Sequence, residues 1–297
     1  MWYMQHTICN TVSEIGIGLH TGQRIRICLQ PADIGCGVLF QRTDLSNASP
    51  IPALYNHVID TKLSTVLGEK GRLENRISTI EHLMAALYGC GIDNILILID
   101  GPEIPIFDGS SSFFVSLLEH TGRKQQNAPR KIIKVLEPVC IKQGDFFVKL
   151  LPNPHSGLSL SLSINFAARA VGQQTYHIDL TSDTFKKELS FNRTFTFLED
   201  IETLRQMGLA QGGSLENAIV IDDNRILNSH GLRTPDEFVR HKMLDVLGDL
   251  YLAGSPLEAC FYGHCSGHTL NNQLLQKLFS CSTAWQKICT TDKHPPS

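Results

Sequence analysis

The sequence predicts an α+β protein built from two copies of one unit. Three observations carry that reading. In each half, strand-like runs come first and a helix leading into a strand comes later. "EHLMAALYG" then "NILILI" is matched by "RHKMLDVLG" then "LEACFY", each helix with a His and a Met two apart; setting His82 on His241 offsets the halves by 241 − 82 = 159 residues. Between them "GRKQQNAPRK" is polar and contains a proline, the best candidate for a solvated linker (123–130) between domains 1–122 and 131–297. Chance likeness of two amphipathic helices is the competing reading of the repeat. If the copies are real, their equivalent helices meet at a shared interface, where ligand sites tend to form.

Taken in order, "TICNTV" and "RIRICLQP" read as strands, with Ile25, Ile27 and Leu29 alternating with polar or smaller residues. Three glycines punctuate "GIGLHTG", a turn or exposed loop. "ISTIEHLMAALYGCG" reads as a helix from near Ser78 to Gly89 or Gly91, and "NILILID" as a buried strand. "GPEIPIFDGSSSFFVSLLEHTG" gives a Pro-rich loop and a helix from about Ser110 to His120. Beyond the linker, "KIIKVLEPVCI", "FFVKLLP" and "GLSLSLSINF" are strands, the last strictly alternating. A mixed segment, "RTFTFLEDIETLRQMGLAQGG", precedes the strand "NAIVID". A helix, "FVRHKMLDVLGDL", then the strand "EACFYG" and a helix from Asn271 towards Trp285 follow, and "TDKHPPS" reads as a frayed tail.

Composition narrows the function classes. With 19% charged residues and a net charge of -3 over 297 residues, there is no basic surplus for nucleic acid and no acidic block. The longest wholly apolar run, "ILILI", is far too short to span a bilayer, and "MWYMQHTICN" lacks a signal-peptide pattern. Nine cysteines without a CxxC pair make no disulfide framework, so a reducing cytoplasm is the expected home.

The chemistry gathers on three segments. In "FVRHKMLDVLGDL" Val239, Met243, Val246 and Leu250 share one face, and His241, Asp245 and Asp249 stand opposite with Lys242 at their edge. That arc is either the wet side of a surface helix or a metal site. His241 and Asp245, four apart, can share one ion; a third ligand must come from elsewhere. His82 of "IEHL", among apolar neighbours, is the obvious donor, with a core hydrogen bond as the alternative. Glu81 beside it suits a carboxylate that works on water at the metal. Yet "STIE" also matches a capping box, in which Glu81 folds back onto Ser78. In "HCSGHTLNN" a zinc knuckle of Cys260, His264, Cys265 and His268 fits none of the usual spacings. His268 reads better as an acid–base residue after a Ser266-Gly267 turn, its tautomer fixed by Asp249.

Together, "GIGLHTG", "RTDL", "ISTIEHLMAAL", "GIDNI", "PEIPIFDGS", "RTF", "HGLRTPDEFVRHKMLDVLGDL" and "SGHTLNN" span almost the whole chain. In that order they resemble the UDP-3-O-acyl-N-acetylglucosamine deacetylases, zinc amidases of bacterial lipid A biosynthesis. The resemblance implies two similar two-layer α/β sandwich domains with the metal site at their interface. It implies that His82, His241 and Asp245 bind one Zn2+ per chain, with Fe2+ as the alternative in the cell. Glu81 would be the general base, His268 the proton donor, Thr194 the oxyanion donor, and Asp249 the residue that orients His268. Lys242 and Phe195 would lie around the nucleotide-sugar part of an acylated UDP-sugar. Leu19, Leu198, Ile201, Ala210 and Ser214 would line an acyl-chain passage. A cytoplasmic monomer with no membrane span and no nucleic-acid partner is expected.

Lys62 stands where an apolar residue is common, and Cys265 where a basic one is common, which puts acyl preference and phosphate contacts in question. Two other classes are a zinc amidase acting on a different acylated sugar or amide, and a catalytically silent nucleotide-sugar-binding paralogue.

Overall fold

The computed structural model describes residues 3–290, so the tail "TDKHPPS" lies outside the described residues. Among the described residues the six α-helices are α1 (Glu81–Cys90), α2 (Ser112–Thr121), the single turn α3 (Ser182–Thr184), α4 (Leu198–Gln206), α5 (Glu237–Leu250) and α6 (His268–Ser280). The expected α+β class holds.

Each half is organised on a sheet. The first has the strand order Val12–Ile17, Arg24–Pro31, Ile95–Ile99, Val38–Arg42, Ile51–Pro52; only the pair between Val38–Arg42 and Ile95–Ile99 is parallel. Alternation decides its faces: Ile25, Ile27 and Leu29 are buried while Arg24 and Arg26 are exposed. In the second half the order is Val139–Gln143, Phe146–Leu151, Leu257–His264, Lys131–Val135, Trp285–Cys289, with Leu158–Asn165 joining Leu257–His264 in parallel. Leu158, Leu160, Leu162 and Ile164 turn inward, as the strict alternation predicts. These residues share one continuous apolar core with Leu83 and Leu87 of α1, Met243 and Val246 of α5, and Leu274 and Leu278 of α6.

The repeat has a structural counterpart. α1 leads into Ile95–Ile99 and α5 into Leu257–His264, and each of those strands is the middle one of its sheet. The two helices then pack on each other so closely that only glycine fits at 248, where a Cβ would lie 2.1 Å from the Glu81 carbonyl oxygen. Gly89 is Gly248's counterpart at the same offset (248 − 89 = 159), and a Cβ there would lie 2.0 Å from the Phe185 ring. Both helices thus use a glycine at one position to admit a close neighbour.

Several elements differ from expectation. "TICNTV" is broken between Met4–Ile8 and Val12–Ile17, and "KIIKVLEPVCI" between Lys131–Val135 and Val139–Gln143. The polar segment read as a linker contains a strand, Arg123–Pro129, antiparallel to Met4–Ile8, with Ile8 opposite Arg123 and Met4 opposite Pro129. Its Gln126 also bonds the Ala32 carbonyl and Asn94. The closing helix starts at His268 and stops at Ser280, and Trp285 opens a strand paired with Lys131–Val135. Among the described residues no helix is long and apolar enough to cross a membrane.

Candidate active site

α5 has no wet side along the arc of interest. His241, Asp245 and Asp249 are 2%, 4% and 2% exposed, because α1 and α6 cover them. The surface-helix reading therefore fails. From α1, His82 brings Nε2 to 3.5 Å from Asp245 Oδ1, and His241 Nε2 lies 3.4 Å from the same oxygen. Ligand atoms of the three residues all fall within 4.8 Å of one another. The two imidazoles meet edge to face, centroids 5.0 Å apart.

Protonation suits this cluster to a cation rather than to an ion pair. His241 Nδ1 lies 3.0 Å from the Asn192 carbonyl, which can only accept, so Nδ1 carries the proton. Burial lowers the ring's pKa to about 4, so at neutral pH Nε2 holds a lone pair. That lone pair faces Asp245 Oδ1, a buried oxygen with no hydrogen-bond partner. Two acceptors turned towards each other in a buried site repel unless a cation lies between them, and the N/N/O donor set suits zinc or ferrous iron. The other carboxylate oxygen, Oδ2, accepts from Lys242 Nζ at 2.9 Å.

Glu81 and His268 face each other beside this cluster. Thr79 takes a left-handed φ of 59°, so α1 starts only at Glu81, and its N-cap Ile80 makes no side-chain cap. Both the Ser78 amide and its hydroxyl go to the Pro102 carbonyl. The capping-box reading fails with them. Glu81 Oε2 instead accepts from the Thr65 amide at 3.0 Å, and Oε1 lies 3.7 Å from His268 Nε2. Burial pushes the Glu81 carboxyl above the ordinary carboxylate range.

His268 opens α6, and its Nδ1 lies 2.8 Å from Asp249 Oδ2. Asp249 is held in turn by the Thr65 hydroxyl at 2.5 Å and Asn271 Nδ2 at 2.8 Å. Burial alone would lower the His268 pKa; the Asp249 and Glu81 carboxylates outweigh it and raise the ring to about 9. His268 is therefore charged at neutral pH. No knuckle forms: His264 Nδ1 is engaged 2.7 Å from Ser163 Oγ, and the His82–His241–Asp245 cluster is the only such group of three among the described residues.

A cavity of about 780 Å³ runs from these groups into an apolar channel. Glu81, His82, His241, Lys242, Asp245 and His268 line its polar end, with Thr194 and Phe195. Leu19, Leu198, Ile201, Ala210 and Ser214 line its walls. Asp249 is not on the wall; it sits behind His268. Lys62 is exposed and its neighbour Leu63 lines the cavity instead.

Sequence reasoning missed Phe166 and Leu227 of the channel, and it missed Glu103. That fully buried carboxylate accepts from the amides of His20 (2.8 Å) and Thr21 (2.9 Å) and from the hydroxyls of Thr21 (2.8 Å) and Thr79 (3.1 Å). It pins the "GIGLHTG" loop that carries Leu19. The one available signal was a charge set between prolines in "PEIP".

Comparison with known proteins gives matches along nearly the whole chain. Residues 5–280 match the family model described as "LpxC: UDP-3-O-acyl N-acetylglycosamine deacetylase". A UDP-3-O-acyl-N-acetylglucosamine deacetylase of Acidithiobacillus ferrooxidans is 44% identical over 98% of this chain and 95% of its own length. One from Idiomarina loihiensis is 46% identical, covering 96% of this chain and 92% of the relative. One from Myxococcus xanthus is 44% identical over 96% and 90%.

Proposed function

We propose a mechanism for this chain from the premise that it belongs to the UDP-3-O-acyl N-acetylglycosamine deacetylase family. It removes the N-acetyl group of UDP-3-O-acyl-N-acetylglucosamine, releasing acetate and a free 2-amino sugar for lipid A biosynthesis. His82, His241 and Asp245 would hold one Zn2+, or Fe2+. Bound there, the ion supplies Lewis acidity that acidifies water and polarises the amide carbonyl.

The chain's own groups then divide the proton work. Glu81 takes the proton of the attacking water, its basicity raised by burial. Charged His268 supports the developing oxyanion and then protonates the departing amine, because an amide nitrogen does not leave as an anion. Asp249 keeps the His268 proton-bearing Nδ1 occupied so that Nε2 faces the reaction. The Thr194 hydroxyl adds a donor to the oxyanion. Lys242 and Phe195 would bind the nucleotide sugar, and the apolar channel takes the 3-O-acyl chain. We read residues 1–122 and 131–297 as the two domains that supply α1 and α5, in a cytoplasmic monomer.

The observation that carries the metal is the neutral His241 Nε2 facing the unpartnered Asp245 Oδ1. The test is acetate release from the family substrate, with chelator and after adding zinc back. Loss and recovery are expected. Release that ignores the chelator would overturn the metal role, and zinc-loaded protein releasing no acetate would favour the silent paralogue.

A further inference from the structure

We infer that Arg193 and Glu237 are positioning residues that set the register of α5, and so place His241 relative to Thr194. The inference rests on the metal reading above. Glu237 is the first residue of α5, fully buried, four residues before His241 and eight before Asp245. Its Oε1 accepts from the Arg193 amide at 3.0 Å and Nε at 2.9 Å; its Oε2 accepts from Arg193 Nη2 at 3.1 Å and the Arg233 amide at 2.6 Å. Arg193 Nη2 also donates to the Gly231 carbonyl at 2.8 Å. This is a two-pronged fork with main-chain bonds on both sides, which a point charge could not reproduce.

On one side of Arg193, Asn192 reads the same helix, and on the other Thr194 reaches the cavity. The carbonyl of Asn192 accepts from His241 Nδ1 at 3.0 Å, which selects the tautomer. The Thr194 side chain lines the reactive end of the cavity, and its backbone is fixed by the Gly109 carbonyl and the Ile219 amide, both at 2.8 Å. Asn192 and Arg193 thus grip α5 one turn apart, and Thr194 beside them lines the site. At the other end of α5, Gly248 abuts the Glu81 carbonyl. The helix is held at both ends, and the ligands lie between. A buried ion pair of this kind is a poor source of stability, since well-packed apolar replacements are often neutral. What its geometry supplies is placement.

Glu237→Gln and Arg193→Lys test it, the first isosteric and the second keeping the charge without the fork. Zinc affinity is measured by competition with a chromophoric chelator, and kcat and KM at saturating zinc, well below the melting temperature. Both variants should bind zinc on the order of 10-fold more weakly, as loss of a ligand's supporting partner does. Each should lose roughly 10–100-fold in kcat, with KM changed less than about threefold. Variants that melt earlier but keep wild-type zinc affinity and kcat would reduce the pair to a structural brace. Full rescue by Arg193→Lys would show that charge, not the fork, matters. Wild-type protein that binds no zinc would fail the metal reading itself, separately from the variants.

Discussion

Replacing Gly248 by alanine sets two forces against each other with opposite signs. Helix propensity alone favours the change by about 1 kcal/mol in a helix interior. Packing opposes it. The new Cβ would lie 2.1 Å from the Glu81 carbonyl oxygen, 2.8 Å from its carbon and 3.0 Å from its Cα. Ordinary contact begins near 3.4 Å, so α1 and α5 must separate by 3.4 − 2.1 = 1.3 Å at that point. The obstructing atoms are backbone, and no rotamer change relieves them. Overpacking of this kind costs ~1–3 kcal/mol, enough to cancel the propensity gain or exceed it. Function should suffer more than stability. Glu81 and His82 start α1, while Asp245 and Asp249 flank Gly248, so the separation opens the site itself. A misplacement of about 1 Å can cost roughly 10²-fold in rate. The assay is kcat/KM for acetate release, with thermal melts of chelated and zinc-loaded protein. An alanine variant with a raised melting temperature and unchanged kcat/KM would refute the argument.

Three other outcomes follow from the same geometry. Glu81→Ala should retain zinc and lose on the order of 10²–10⁴-fold in turnover; near-normal turnover in a variant about 1 kcal/mol less stable would return Glu81 to a capping role. Asp249→Asn removes the carboxylate that keeps His268 charged, so the ring gives up its proton at lower pH. The basic limb of the pH–rate profile should move towards acid by roughly two units, from about 9 towards the ordinary 6.5. Because the folded pKa is raised, the stability His268 contributes is complete below pH 6.5 and is lost as pH climbs through about 9. In Asp249→Asn that slope should flatten, and an unmoved basic limb would disprove the pairing. Replacing Cys260 and Cys265 together with serine should leave zinc at about one per chain by metal analysis; its loss would revive the knuckle.

Sequence periodicity placed His241, Asp245 and Asp249 on one face of a helix, and the alternation of Leu158–Asn165 gave its buried side. What it could not tell was whether the polar face of α5 was wet, because that depends on α1 and α6 arriving from other parts of the chain. The rival roles of Glu81 were equally undecidable locally. They turn on the left-handed Thr79 and on Ser78 being committed to Pro102. Arg123–Pro129 escaped because its strand bonds are main-chain bonds to Met4–Ile8, and its polar side chains announce only solvent. Glu103 and Glu237 escaped for a related reason. Glu103 serves amides 83 residues away and Glu237 serves Arg193 44 residues away, separations no local pattern reveals.

The Arg123–Pro129 strand also governs how the molecule can admit its substrate. Arg130, just past the strand, bonds the Tyr3 carbonyl and lies 2.6 Å from Asp93, and its own carbonyl accepts from Thr290. The crossing from one half to the other is thereby hydrogen-bonded on both flanks rather than left as a free tether. At the edge of the cavity α4 has no buried residue and is followed by positive φ values at Gly208 and Ala210, so motion that admits substrate is expected there. The same fastening joins the fates of the halves on heating. Since His82 comes from one and His241 from the other, melting either would destroy the proposed cation site. Zinc at 1,000 times its Kd would then stabilise the whole chain by about 4 kcal/mol, moving a single cooperative transition rather than one of two.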